Sequence, residues 1–519
     1  MMPKSRLYWF YGIFIIGFLL LAGRLFELQI IFGQKNRAIA DGNRIKKIIE
    51  PAPRGMIYDR SGREVVRNIP IYKKCIAVDK CQILAREEAL KLEAQNKTED
   101  LRLGIGRDYL YGKAVAHVLG YLGEAGEAEV GSGEYELGDL VGRTGVEEKY
   151  NTVLNGQSGG ELIEVDSLGN KIREIGKIAP VSGKDLFLSV DAELSRTAYE
   201  AMEGRAGAVV ASEAKTGRIL ALVSSPSFNP NEITSQSLND PTLPFFNRAI
   251  GGAYPPGSTF KIVTATAGLE EGKIDAKTIF EDTGQIRVGD FVYKNWYFTQ
   301  YGKTEGKINL VRAIKRSTDT FFYKVGEWVG PQKLAEWGRV FGLGKKTGIE
   351  LPGEVGGLVP DPEWKQQNTG ERWFLGNTYH FAIGQADLLT TPLQINMMTG
   401  VIANNGKLCQ PTVLQGSESQ CQDLKLKTET LELIKEGMKG VCSTGGTAFP
   451  FFDFTPAVAC KTGTAEFGDP KNRTHAWLTA FAPVDDPQIV VTVLVEAGGE
   501  GSYVAAPIAK KILEVWFNH

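Results

Sequence analysis

The chain has 519 residues, 43% of them hydrophobic and 23% charged, which is too long for one ordinary core and too mixed for wholesale disorder or a polytopic membrane protein. Lys plus Arg (59) against Asp plus Glu (61) leaves a net charge of -2, without the basic surplus expected of a nucleic-acid binder. Histidines number 4 and cysteines 6, with no C-x-x-C, so neither a metal site nor a cofactor is expected.

Leu7 to Ala22 carries no charge, and apolar character continues to Phe32 around Arg24 and Glu27. At about 1.5 Å per residue, Leu7–Gly23 spans roughly 25 Å, which snorkelling by Arg24 extends. The run is long for a signal-peptide core and no A-x-A site follows it. Residues 7–32 are therefore expected to be an uncleaved anchor behind a short cytoplasmic tail, 1–6, too short for an effector domain. Lys4 and Arg6 precede the segment while Arg24, Lys35 and Arg37 follow it, so charge counting leaves the topology open. Arg24 and Glu27 share a helix face, either as an interfacial ion pair or as a contact with another membrane protein.

Residues 33–184, rich in glycine and charge, are expected to form a separate extended domain with a short helix at Ala85–Ala94. From Asp185 the texture changes, and residues 185–519 are expected to form a second domain. Asp185–Asp191 alternates like a strand, Ala192–Glu203 has helical spacing, and Gly207–Ser212 and Arg218–Ser224 form a predicted hairpin. A long helical section follows, roughly Ser258 to Lys439. Three strands are then predicted at Ala457–Phe467, Thr474–Ala482 and Gln488–Glu496, with a closing helix at Pro507–Phe517. Strands at both ends with helices between them predict an α+β fold, an antiparallel sheet with helices on both faces.

Tyr254-Pro255-Pro256-Gly257-Ser258-Thr259-Phe260-Lys261 ends a proline turn where a helix begins, with Lys261 one turn after Ser258. A serine hydroxyl needs an adjacent base, and a lysine serves only when burial or a second cation keeps it neutral. A second Ser-x-x-Lys, Ser212 to Lys215, falls on a hairpin turn and is expected to be solvated. Lys-Thr-Gly occurs at Lys215, Lys346 and Lys461, but only Lys461-Thr462-Gly463-Thr464 lies inside a predicted strand. Alternation there puts Lys461 and Gly463 on one face and Thr462 and Thr464 on the other. A glycine inside a strand marks either a bulge or the close approach of a ligand backbone. Ser317-Thr318-Asp319, taken alone, is a helix N-cap before an apolar run. His117 and His475 are expected to be structural.

These three elements in this order resemble the Ser-x-x-Lys, Ser-x-Asn and Lys-Thr-Gly set of penicillin-binding proteins and serine β-lactamases. The resemblance reaches further. Arg54–Gly62 and Gly142–Tyr150 look like pedestal signatures of class B penicillin-binding proteins, and Ala382–Ala386 with Thr391–Gln394 looks like their helical-core signature. Asp319 in place of Asn, together with Trp373–Thr378, resembles the elongation-type branch, penicillin-binding protein 2.

The resemblance implies a peptidoglycan D,D-transpeptidase that forms a serine acyl-enzyme on D-Ala-D-Ala and binds β-lactams covalently. It implies Ser258 as nucleophile, Lys261 as base, Ser317 as proton relay and Lys461 as the positive charge that keeps Lys261 neutral. Asp319, where an amide is usual, is expected to be protonated or directed at a backbone donor. Thr462 and Thr464 would hold the substrate carboxylate, backbone N–H groups of Ser258 and Thr464 would form the oxyanion hole, and the peptide would lie along the strand beside Gly463. Expected partners are stem peptides, a RodA-type SEDS glycosyltransferase and other elongation-complex proteins, with the catalytic domain outside the cytoplasmic membrane. A septal transpeptidase, a D-Ala-D-Ala carboxypeptidase, a β-lactam sensor and a wall-machinery scaffold are the alternatives. A β-lactamase lacks a Glu-x-x-Leu-Asn segment here, and a Ser-His-Asp hydrolase lacks its Gly-x-Ser-x-Gly elbow. One disulfide is expected, Cys75–Cys81 or Cys409–Cys421, leaving Cys442 and Cys460.

Overall fold

The uncharged N-terminal run lies in one helix, Lys4–Phe26, that widens into a π-helical turn at Glu27–Ile31. Leu7–Ile31 is long and apolar enough to cross a membrane, and Arg24 pairs with Glu27 along it. A computed structural model describes residues 4–518 except 78–79, 85, 96–100, 132–134, 136–139 and 167–170.

The chain divides into two compact units, one of Met1–Gly55, Asn68–Arg107 and Thr152–Lys184, the other of Met56–Arg67, Asp108–Asn151 and Asp185–His519. The change of texture after Lys184 is a unit boundary, but Met56–Arg67 and Asp108–Asn151 pack with the C-terminal residues. The reason lies in their hydrogen bonds and burial: Arg60 N donates to Val190 O (3.0 Å), Ser227 Oγ donates to Lys113 O (2.8 Å), and Val115–Leu119 is buried. In the first unit, Ile45–Glu50, Gly159–Val165 and Lys171–Ile178 form a three-stranded antiparallel sheet. The short helix predicted from Ala85 is found at Arg86–Ala94, with Ala85 outside the described residues.

The second unit is built on five strands: β1 (Gly207–Glu213), β2 (Ile219–Ser225), β3 (Ala459–Glu466), β4 (Thr474–Ala482) and β5 (Ile489–Val495). They pair antiparallel in the order β2-β1-β5-β4-β3, which leaves β3 on an edge. The central strands are apolar without alternation, as strands covered on both faces are. Seven helices matter below: α1 (Ala192–Ala201), α2 (Lys261–Glu270), α3 (Leu310–Arg316), α4 (Asp319–Val329), α5 (Pro392–Ala403), α6 (Thr428–Val441) and α7 (Ala505–Asn518). α1 and α7 pack together on one side of the sheet, and α5 covers β1, β4 and β5 on the other. Nearly every residue of α5 is buried, and Asn396 ties it to the sheet by donating to Val210 O (3.1 Å) and Val490 O (3.2 Å).

Three predicted elements differ. Asp185–Asp191 is a strand only at Leu186–Phe187, because its next contact is a lone bridge from Leu188 to Leu414. The last helix starts two residues before Pro507, which still stands in the first turn, where N–H groups have no partner within the helix. The Ser212–Lys215 stretch is not solvated at its serine. Ser212 lies in β1, is 5% exposed and donates to Asn396 Oδ1 (2.6 Å).

Candidate active site

The proline turn delivers Ser258 into a 3₁₀ turn, Gly257–Phe260, and Lys261 is the first residue of α2 rather than a residue one turn inside it. The turn is held on several sides. Gly257 N donates to Gly384 O (2.8 Å), the Thr259 hydroxyl donates to Pro256 O (2.8 Å), and the Trp477 indole donates to Pro255 O (3.0 Å). Gly384, with φ +78°, lies so close that a β-carbon there would stand 2.1 Å from Gly257 O. That contact gives the Ala382–Ala386 stretch its local purpose. Ser258 itself is half-buried, and among the described residues no hydrogen bond holds its hydroxyl.

Lys261 is fully buried and meets three acceptors: Ser317 O (2.8 Å), Ser317 Oγ (3.2 Å) and Asp319 Oδ1 (2.6 Å). Ser317 can present both oxygens because it caps α3 in the left-handed region, φ 54°, a conformation unfavourable for a side-chain-bearing residue. The helix start predicted at Ser317-Thr318-Asp319 is real, with Thr318 as N-cap and Asp319 opening α4. Asp319 is directed at a backbone donor as well as at Lys261, since its Oδ2 accepts from Trp296 N (3.0 Å).

Lys461 reaches the same serine from β3, donating to Ser317 Oγ (2.9 Å) and Thr462 O (2.9 Å). Three segments far apart in sequence thus meet at one hydroxyl. Burial pushes both lysines down from the ordinary range. For Lys261 the Asp319 carboxylate opposes it. Lys461 lies well below, because the neighbouring Lys261 adds to burial. The one carboxylate among these groups, Asp319, pairs with Lys261 at 2.6 Å and acts from farther off on Lys461, which it also raises.

On β3 Lys461 and Gly463 are buried and Thr464 is exposed as expected, but Thr462 is also buried, at 7% exposure, where Thr447 covers it. The register shows no bulge at Gly463. A β-carbon there would stand 3.1 Å from both Pro256 O and Thr259 Cγ2, so the missing side chain makes room for the serine turn itself. Gln385, oriented to meet its neighbours, donates to Glu466 O (3.3 Å) and accepts from Glu466 N (3.2 Å) at the end of the same strand.

Several neighbours carried no sequence signal. Thr447 Oγ1 lies 2.7 Å from Thr462 Oγ1, and its loop is clasped by Lys315 Nζ, donating to Thr444 O (2.9 Å), and Arg316, donating to Gly445 O (3.2 Å). Cys442 is bonded to Cys460, next to Lys461, a pair that had been left over. Cys409–Cys421 forms as expected, because the two stand opposite in a short hairpin. The pairing of the Cys75 and Cys81 side chains lies outside the described residues. Of the other Lys-Thr-Gly copies, Lys215 is exposed and pairs with Asp486 (2.7 Å). His475 stacks on Phe467 (4.1 Å between centroids), and His117 is buried edge-on against Phe228. Among the described residues no cluster suits a metal ion.

An antiparallel sheet with a lysine-bearing edge strand beside a serine in the turn that opens a buried helix is the build of the penicillin-interacting transpeptidases. The profile for the penicillin binding protein transpeptidase domain matches residues 207–514, and that for the penicillin-binding protein dimerisation domain matches residues 84–188. The peptidoglycan D,D-transpeptidase MrdA of Acinetobacter baumannii is 33% identical over 99% of this chain and 87% of its own. Penicillin-binding protein 2 from Helicobacter pylori, solved in complex with MreC, superposes with a TM-score of 0.80 at 28% identity, covering 91% of this chain and 99% of that one. A chain from a peptidoglycan synthase complex, solved for the coordination of polymerization and crosslinking, gives the same score and identity over 99% of both. The chain belongs to the penicillin-binding protein transpeptidase family, in its elongation-type penicillin-binding protein 2 branch.

Proposed function

We propose that the chain is a peptidoglycan D,D-transpeptidase of cell elongation, with residues 7–32 as anchor, 33–184 as pedestal and 185–519 as the transpeptidase domain. The observation that carries this is the Ser317 hydroxyl, within 3.2 Å of Lys261 Nζ and 2.9 Å of Lys461 Nζ, beside the turn that holds Ser258. In this reading the substrate peptide adds along the free edge of β3, and its terminal carboxylate is held by the Thr462 and Thr464 hydroxyls. That negative charge favours a protonated Lys461. One proton then passes from Lys261 to Lys461 through Ser317, with no change in total charge, and leaves Lys261 neutral. Ser258 Oγ gives its proton to Lys261 and bonds to the D-Ala carbonyl carbon. Backbone N–H groups of Ser258 and Thr464 hold the oxyanion, each worth about 3 kcal/mol. The C–N bond to the terminal D-Ala breaks as its nitrogen takes a proton through Ser317. An amine of a second stem then attacks the ester carbonyl carbon and gives up a proton to neutral Lys261, which passes one to Ser258 Oγ as the ester C–O bond breaks, leaving the cross-link and free enzyme. A β-lactam follows the first half and stops there.

The two bonded cysteine pairs of the second unit support an oxidising, extracytoplasmic location, and the apolar N-terminal helix supports a single-pass anchor. Partners of the kind seen with the solved relatives are proposed for this chain, with a RodA-type SEDS glycosyltransferase meeting the anchor and pedestal. Fluorescent penicillin is the test. Wild type should be labelled covalently and Ser258→Ala should not, and wild type should yield dimeric muropeptides from stem-peptide substrate. Equal labelling of both proteins, or release of D-Ala without dimers, would overturn the transpeptidase reading.

A further inference from the structure

Asp282 is 1% exposed, and its carboxylate accepts four hydrogen bonds. Gly284 N (2.9 Å) and Thr320 Oγ1 (2.7 Å) donate to Oδ1, and Asn295 Nδ2 (3.1 Å) and Glu305 N (2.8 Å) donate to Oδ2. A carboxylate offers about four lone-pair sites, and here each has a donor. Burying such a group is unfavourable unless it is fully met, so its presence marks a place where position counts for more than stability.

The chain of contacts continues toward the lysines. Asn295 is fully buried, and with its Nδ2 committed to Asp282 its Oδ1 accepts from Asp319 N (3.2 Å). The next residue closes the grip. Trp296 N donates to Asp319 Oδ2 (3.0 Å), and the Trp296 indole donates to Arg316 O (2.9 Å). Asn295 and Trp296 therefore hold the Ser317-Thr318-Asp319 corner on both sides, and only Asp319 Oδ1 is left for Lys261. A free aspartate would swing its carboxylate about two side-chain bonds, and this one has a single orientation.

We infer that Asp282 and Asn295 are positioning residues of the acylation step, acting through Asp319 to keep one carboxylate oxygen on Lys261. The inference rests on the reading of Ser258 and Lys261 as nucleophile and base. The charged groups facing Lys261 are Asp319 of α4 and Lys461 of β3, with the Phe322 ring 5.3 Å from Lys261 Nζ; Asp319 also faces the Tyr323 phenol. Among these, Asp319 is the one hydrogen-bonded to Asn295, so a change at Asp282 or Asn295 is expected to reach Lys261 through that carboxylate.

The experiment is the second-order rate of acylation of the full-length, detergent-solubilised protein by fluorescent penicillin between pH 6 and pH 9. Wild type, Asn295→Ala, Asp282→Asn and Asp319→Asn are compared, together with each of the first two combined with Asp319→Asn. Loosening the grip weakens the hold of Asp319 on the Lys261 proton, so the rising limb of the profile moves to lower pH in both single variants. The ratio of the rate at pH 9 to that at pH 6 falls by about threefold or more, and neither substitution moves the limb further once Asp319 is replaced. Purely structural residues would lower the rate equally at every pH and add to the effect of Asp319→Asn, which would overturn the inference. Asp282→Asn keeps the side chain's shape and carries the test if Asn295→Ala does not fold. Wild-type protein without Ser258-dependent labelling would bring down the transpeptidase reading and this inference together; labelling with an unmoved limb would bring down the inference alone.

Discussion

Lys261 has three N–H bonds to give as an ammonium and three acceptors that take them, one a carboxylate at 2.6 Å. Burial favours the neutral amine and is the larger effect, while the Asp319 carboxylate favours the charged form and opposes it. In the proposed reading acylation needs a neutral Lys261 and one proton left on the lysine pair, so its rate should climb with pH as the doubly protonated pair gives up its first proton. Asp319→Asn removes the group that raises that titration, so the limb should move to lower pH. Penicillin acylation rates for the two proteins across pH 6–9 check this, and coincident profiles would deny Asp319 any hold on the proton. His117 gives a separate case. Its burial pushes the imidazole down to about 4, below the ordinary 6.5 of the unfolded chain. The unfolded state then binds more protons than the folded one below pH 6.5, so stability is lost as pH falls from there toward 4. The total is about 3 kcal/mol for a fully buried ring. Urea unfolding at pH 7 and pH 4.5 should show a smaller loss in His117→Gln than in wild type, and equal losses would assign the acid sensitivity elsewhere.

At the scale of elements, the site depends on how closely the serine turn seats on β3. Gly463→Ala would place a methyl 3.0 Å from Trp477 Cβ and 3.1 Å from Pro256 O and Thr259 Cγ2. Overpacking of this kind costs about 1–3 kcal/mol, and because the turn carries Ser258 the acylation rate should fall by about tenfold as well. Gly400→Ala in α5 is the control, since nothing lies within 4 Å of its added carbon. Parallel denaturation and labelling of the two variants decide the matter, and an unimpaired Gly463→Ala would show that the turn can shift freely. This packing also explains what was legible beforehand. Ser258, Lys261 and Lys461 stood out as candidates because a proline turn before a helix and a glycine within a strand leave local patterns. The α+β architecture followed from strands at the two ends of one long helical section. Ser317's left-handed corner, Thr447 against Thr462, and the grip of Asn295 and Trp296 on Asp319 leave no such pattern. Each arises from segments brought together by the fold, and each partner alone looks like an ordinary cap or loop residue. The Cys442–Cys460 pair was hidden for the same reason: α6 and β3 are joined by an irregular stretch whose path is set by tertiary contacts.

The whole chain poses the question of which side of a membrane its second unit occupies. Flanking charges leave that open, since basic residues stand at both ends of the Leu7–Ile31 span. The cysteines carry more information. Cys409–Cys421 bridges a hairpin at directly opposed positions, and Cys442–Cys460 encloses the loop that brings Thr447 to Thr462. Bonds of this kind form and persist in oxidising compartments, whereas the cytosol keeps thiols reduced. A membrane-anchored chain with the unit outside would hold all four sulfurs oxidised. In a Cys75→Ala, Cys81→Ala background only these four cysteines remain to report, because the sequence has 6 in all. Cells trapped in acid and denatured with a maleimide–polyethylene glycol reagent should show no gel shift without reductant and a full shift after it. A chain modified without reductant would place the unit on the cytosolic side. That result would also remove the D-Ala-D-Ala substrate from its reach, since stem peptides are cross-linked outside the cytoplasmic membrane.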